Sequence, residues 1–138
     1  MSTALDVARY LLAEHPVSGR TQVQGLLYYA QGLALARTGE PLFSEPIEAR
    51  AQGPVVASVW SAGFIDLLPD GGEGLTPAQR ALVDEAVSRY GGLDEASLAA
   101  AIRAENPWRG AHVDPSRAGI ITLASLAAQF TNVTDTRQ

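Results

Sequence analysis

The chain contains no cysteine and no lysine, and only two histidines, among its 138 residues. Without cysteine there is no disulfide framework, no thiolate metal site and no thiol nucleophile. Without lysine there is neither Schiff-base chemistry nor the phosphate-gripping side chain of a nucleotide-binding loop. His15 and His112 stand at no metal-ligand spacing, so no metal and no cofactor is expected. Serines are scattered with no nucleophile elbow, and Gly71, Gly72 and Gly74 lack both the lysine and the preceding strand of a phosphate loop. No apolar run approaches the ~18 residues of a membrane span, and MSTALDVARY has no basic region ahead of an apolar core, so the expected location is the cytoplasm.

Positive charge is also scarce. Fifteen acidic side chains face ten basic ones, all arginine, for a net charge of −5. Nothing concentrates the positive surface that phosphate contacts require, which disfavours a nucleic-acid binder. Eight carboxylates between Asp66 and Glu105 face only Arg80, Arg89 and Arg103. A partner meeting that half electrostatically is expected to be basic.

What remains is patterned for a single helical domain. Thr3 or Ser2 caps a first helix with Leu5, Ala8, Leu11 and Leu12 inward, ended by Pro16. A capping box of Thr21 and Gln24 opens TQVQGLLYYAQGLALART, and Gly39 stops it. Gly25 and Gly32 inside this helix suit the close approach of another helix. Neighbouring helical residues sit about 100° apart, which places Tyr28 towards the polar side marked by Gln24 and Gln31 and Tyr29 in the core. Leu42 and Phe43 are core plugs.

In EPIEARAQGPVVASVW, Pro46 begins a short helix carrying Ile47, Glu48 and Arg50. Gly53-Pro54 turns the chain, and a second helix restarts with Pro54 in its first turn and Ser61-Ala62-Gly63 at its end. Residues 69–74 are expected as a flexible loop. Thr76, Pro77 and Gln79 open the next helix, with Leu82, Val83, Ala86, Val87 and Tyr90 as its stripe and Gly91-Gly92 as its stop. Asp94 starts a short helix with Leu98, Ala101 and Ile102 inward, which Asn106-Pro107 ends. Past a polar turn at Asp114-Pro115, Thr122 opens a last helix with Leu123, Leu126, Ala127 and Phe130. The expected fold is a compact all-α bundle over residues 1–130, with at most one very short β-hairpin, and a flexible tail over 131–138.

Trp108, stiffened by Pro107, plugs the core or anchors a partner. A shoulder of Glu45, Glu48, Arg50 and Gln52 near Tyr28, extended by Arg103, Glu105 and Trp108, is the candidate partner-binding surface. Gly53, Pro54, Pro107 and Tyr29 are its structural supports. Glu45 and Glu48, three apart, would share a helix face. No catalytic residue is assigned; a small enzyme working through Arg103, Glu105 and His112 is the competing class.

Four segments in order, VQGLLYYAQG (23–32), GEPLF (39–43), PIEARAQGPV (46–55), and Tyr90-Gly91 with Glu105-Asn106-Pro107-Trp108, resemble the Panacea domain of SocA-like antitoxins, a family of phages, prophages and bacterial toxin–antitoxin pairs. The resemblance implies a mostly helical domain that binds and neutralises a toxin encoded beside it, and a binding protein without catalysis is expected. One branch of the family instead acts as an adaptor that delivers its toxin to a AAA+ protease, and an inhibitor of a host protein would use the same fold. Gly25 stands where the family usually has lysine, Arg50 where it favours an aromatic residue, and Ile102-Arg103 where it prefers Thr-His.

Overall fold

The computed structural model describes residues 2–15, 17, 19–62, 67, 74–114, 116 and 119–136, with side chains through residue 131. Pro16, Gly63, residues 69–73, Pro115 and residues 137–138, on which parts of the expected pattern fall, lie outside them. Among the described residues the fold is mainly helical with one small sheet. Among them, too, no helix is long and apolar enough to cross a membrane.

The first helix, α1 (Ala4–Glu14), opens on a capping box in which Thr3 accepts from the Asp6 amide while Asp6 accepts from that of Thr3. It buries Val7, Ala8 and Leu11. The organising element is α2 (Arg20–Thr38), which is buried on every side from Gln22 to Leu35 and packs against most of the other elements. A helix enclosed in this way has no polar face, and this corrects two expectations. Tyr28 is wholly buried beside Tyr29, and Gln24 and Gln31 are buried as well.

Those glutamines serve as internal pins. Gln31 Oε1 accepts from the Leu42 amide at 2.7 Å and its Nε2 donates to the Phe43 carbonyl at 2.9 Å. Gln24 Oε1 accepts from the Val56 amide at 2.7 Å, and Gln22 donates to the Gly91 and Leu93 carbonyls. Leu42, Phe43 and Val56 are buried, and leaving one of their backbone groups unpaired would cost about 1–3 kcal/mol. Because Gln24 is spent on Val56, no capping box forms; α2 begins at Arg20 after Gly19, without a side-chain cap. At its far end Gly39 takes the left-handed conformation, φ 75°, as the stop requires. Gly25 and Gly32 let neighbours in: a Cβ at Gly25 would lie 2.6 Å from Leu98 Cδ2, and one at Gly32 would overlap the Phe130 ring.

The stretch around Glu48 departs from the expected helix. Ile47–Arg50 is a strand, β1, paired antiparallel with β2 (Gly53–Val55) and with β3 (Gly119–Ile121), in the order β2-β1-β3. Ile47 and Ala49 point inward while Glu48 and Arg50 alternate outward, so Glu45 and Glu48 share no helix face. Arg50 pairs with Gly53 across the two-residue turn Ala51-Gln52. Gly53, at φ 147°, occupies a conformation that a side chain would strain. Pro54 lies in β2 opposite Ala49 instead of opening a helix, an edge-strand position that tolerates its missing N–H. The helical restart, α3 (Ala57–Trp60), begins only at Ala57.

Downstream, α4 (Pro77–Tyr90) has the expected capping box of Thr76 and Gln79 with Pro77 in its first turn. In α5 (Glu95–Arg103), capped by Asp94, Ala99 is buried with Leu98 and Ile102. It ends at Ala104, and Asn106-Pro107, expected to stop it, instead opens α6 (Asn106–Ala111). The last helix, α7 (Leu123–Thr136), buries Leu126 and Phe130 against the core but leaves Leu123 exposed, and its backbone continues through residues 131–136.

Candidate protein-binding surface

At the α5–α6 junction, Glu105 turns its side chain into the core. Its Oε1 accepts from the Tyr28 hydroxyl at 2.7 Å and its Oε2 from that of Tyr29 at 3.0 Å. Adjacent tyrosines that diverge around a helix can both reach one carboxylate because its oxygens offer separate lone pairs. The rings form an aromatic knot: Tyr28 is edge-on to Tyr29 at 5.1 Å, both meet Phe130 edge-on, and Tyr29 stacks on Tyr90 at 3.6 Å. Burial pushes the Glu105 carboxyl above its usual range, against the opposing pull of the tyrosine hydrogen bonds. Burial, then the nearby Glu105 charge, pushes both phenols far above theirs, so they remain neutral donors.

From this half-buried post the chain reaches out to the hairpin. The Trp108 indole N–H donates to the Arg50 carbonyl at 3.0 Å, and the His112 ring stacks on Trp108 with centroids 4.3 Å apart. His112 Nδ1 lies 3.1 Å from the Ala49 carbonyl oxygen; a carbonyl only accepts, so that nitrogen carries the proton. Arg103 Nη1 donates to the Gln52 carbonyl at 2.7 Å. Three backbone acceptors at the hairpin end are thus held by side chains from residues 103–112. On the outward side Arg50 forms an ion pair with Glu48 at 2.9 Å.

Two adjoining cavities flank the turn and share Thr21 and Gln52. One, of about 240 Å³, is bounded by Arg50, Pro54 and Trp60; the other, of about 330 Å³, by Glu95, Ala99 and Arg103. Arg20, next to Thr21, lies over the Trp60 ring at 5.5 Å. Neither Glu105 nor His112 lines either cavity.

The fold therefore brings together Glu48, Arg50, Gln52, Arg103 and Trp108, with Glu105 beneath them. Gly53, Pro54, Pro107 and Tyr29 all hold structural positions. Two expected members are elsewhere. Tyr28 is sealed under the surface, and Glu45 sits before β1, at the opposite end from the turn, where its Oε2 accepts from the Ala4 amide at 3.1 Å. Arg20, Thr21 and Trp60 were missed, since nothing local ties residues 20 and 60 to the hairpin.

The acidic half is less available than its composition implies. Asp84 accepts from Tyr10 and contacts His15, Glu85 pairs with Arg37 and Arg89, Asp94 caps α5, and Glu105 accepts from Tyr28 and Tyr29. Among the described residues no group of three or more His, Cys, Asp or Glu side chains comes together as a metal site.

A family model described as "Antitoxin SocA-like, Panacea domain" matches residues 23–109. That span runs from α2 through Trp108 and contains the aromatic knot apart from Phe130, the turn and all three side chains of the 240 Å³ cavity's named boundary. No curated protein and no solved structure matches the chain.

Proposed function

Because the chain belongs to the SocA-like antitoxin, Panacea domain family, we propose that it is an antitoxin that binds a protein toxin by direct contact and so neutralises it. The observation that carries this reading is the tethering of the hairpin end: Ala49, Arg50 and Gln52 each have a carbonyl bonded to His112, Trp108 or Arg103. Ordering a surface before binding avoids a cost of about 0.5–1.5 kcal/mol for each side chain that a partner would otherwise have to immobilise. Trp60, Trp108, Arg50 and Arg103 cluster there, with Arg20 over the Trp60 ring, and Trp and Arg are enriched where binding energy concentrates.

The residues of the competing enzymatic class are engaged in holding this shape. Both Glu105 oxygens accept from tyrosines, Arg103 holds Gln52, and His112 is committed to Ala49 and Trp108. Such an arrangement supports a presented surface over a reaction centre.

The test is co-expression with the product of the adjacent gene, followed by affinity purification and titration calorimetry. A defined complex is expected, weakened at least about tenfold by Trp60→Ala, the loss typical of a hot-spot aromatic residue. Absence of any complex with a folded chain would refute the proposal.

A further inference from the structure

Glu45, which lies away from the hairpin turn, uses only one of its two oxygens. Its Oε2 accepts from the Ala4 amide at 3.1 Å, whereas its Oε1 is buried with no hydrogen-bond partner among the described residues. None of the ion pairs among those residues includes Glu45. Its side chain borders a cavity of about 170 Å³ whose walls are largely apolar, Pro46, Ile47, Ile120, Leu123 and Leu126 among them. Among the described residues, none that lines this cavity is basic. Gln31, also in the wall, is spent on Leu42 and Phe43. Ile120 and Leu123 are 50% and 47% exposed, so the cavity has an apolar border open to solvent. A second cavity, of about 200 Å³, is bordered by Pro107, Gly110 and Ser125 and shares Ile120 and Thr122 with the first, which extends the depression away from Glu45.

We infer that this cavity receives a lysine side chain of the partner protein, its ammonium donating to Glu45 Oε1 and its stem lying along Ile47, Ile120 and Leu123. This rests on the antitoxin reading and adds a second point of contact, apart from the hairpin turn, with its own chemistry. A buried acceptor without a donor is costly, most of all on a charged group, so a donor that enters the cavity recovers what the isolated chain lacks. The donor should be cationic, because the carboxylate has no counter-charge in this chain, and the net charge of −5 draws basic segments towards it. Lysine fits better than arginine. A guanidinium fork matches two acceptors, and Glu45 has one left; an ammonium is a compact point charge that needs only that one. The lysine stem buries along apolar walls, which these isoleucines and leucines supply. At about 30 Å³ for each small group, as in liquid water, the volume is on the order of a lysine side chain.

The probe is n-butylammonium, which carries the stem and head of lysine, titrated into the full chain and followed by the isoleucine methyl resonances. n-Butanol and n-propylguanidinium serve as comparisons. Butylammonium is expected to saturate and to shift Ile47 and Ile120, at the cavity, more than Ile102 in the core. The alcohol and the guanidinium should bind at least about fivefold more weakly. Glu45→Gln keeps an oxygen for the Ala4 amide, so the variant should fold, as thermal unfolding checks, yet lose at least about fivefold in butylammonium affinity. Glu40→Gln, which removes an exposed carboxylate that does not line the cavity, should change nothing. In the complex with the adjacent gene's product, Glu45→Gln should raise Kd at least about fivefold, and acetylating the partner's lysines should weaken the wild-type complex more than that of Glu45→Gln.

Equal binding of butanol or propylguanidinium, or butylammonium binding unchanged by Glu45→Gln in a folded variant, would overturn the assignment. A complex whose affinity and whose sensitivity to lysine acetylation both ignore Glu45→Gln would remove the lysine site and leave the antitoxin reading intact. Saturable, Glu45-dependent ammonium binding by a chain that forms no complex with the adjacent gene's product would sink the antitoxin reading and leave the chemistry of the cavity standing.

Discussion

Replacing Glu105 by alanine removes the acceptor of two buried hydroxyls at once, those of Tyr28 and Tyr29 at 2.7 and 3.0 Å. A buried donor left unpaired costs about 1–3 kcal/mol, so the substitution should destabilise the fold by about 2–5 kcal/mol. For 138 residues the entropy of unfolding is about 0.3 kcal/mol/K, which converts this to a fall in Tm of about 7–17 °C. The assay is urea denaturation followed by far-UV dichroism, in a cycle with Tyr28→Phe and Tyr29→Phe. The combination Tyr28→Phe/Tyr29→Phe/Glu105→Leu removes donors and acceptor together and should recover more than half of the loss, because no polar group is left stranded. A loss below about 0.5 kcal/mol for Glu105→Ala, or strict additivity with the tyrosine substitutions, would refute the carboxylate's role as the shared acceptor of the two hydroxyls.

The same carboxylate predicts a pH dependence. Its folded-state pKa is raised above the ordinary 4.5 by burial, so stability relative to Glu105→Gln is greatest below that value, declines as pH rises through the folded-state pKa, and is level above it. Urea midpoints of both proteins from pH 4 to pH 8 would check this; a difference that grows with pH would contradict it. Tyr10, whose pKa is pushed up to about 12 by burial and by its bond to Asp84, and Tyr28 and Tyr29, raised further, should stay un-ionised at pH 11 in an absorbance titration while the helical signal persists. Gly32→Ala should cost about 1–3 kcal/mol through the Phe130 ring despite alanine's higher helix propensity, whereas Gly92→Ala, with open space around it, should be close to neutral in the same denaturation assay. Trp108→Phe removes the indole bond to Arg50 and should speed amide hydrogen exchange at the turn, residues 50–53, while leaving exchange within α2 unchanged.

Several helix boundaries were legible from local signals. Thr76 with Gln79, Asp94 and Gly39 act through side chains or backbone angles a few residues away, so their effect can be read from short stretches. Gly25 and Gly32 also spoke plainly, because helix-weakening residues persist where another side chain must fit.

Failures came where tertiary partners reverse a local meaning. Gln24 and Gln31 look like the wet edge of an amphipathic helix, yet each answers backbone groups of a loop packed against α2. With those residues turned inward, Tyr28 had no polar side to approach, and the carboxylate that receives it comes from 77 residues away. Glu48 and Arg50 occupy positions two apart in a four-residue strand, too short a run for alternation to be distinguished from a helical turn. The surface was half visible: Arg103, Trp108 and Gln52 are recognisable anchors, but Trp60 borders the cavity beside the turn, with Arg20 over its ring, only through the packing of α2 and α3.

The central claim is neutralisation of a partner protein through the tethered hairpin, and growth rescue tests it most directly. Cells expressing the adjacent gene's product should stop growing, resume growth when this chain is supplied, and fail to resume with Trp60→Ala/Arg103→Gln at equal abundance. Rescue by that double variant equal to the wild type would contradict the hairpin's role, and growth arrest unchanged by the abundant, folded wild-type chain would contradict the function itself.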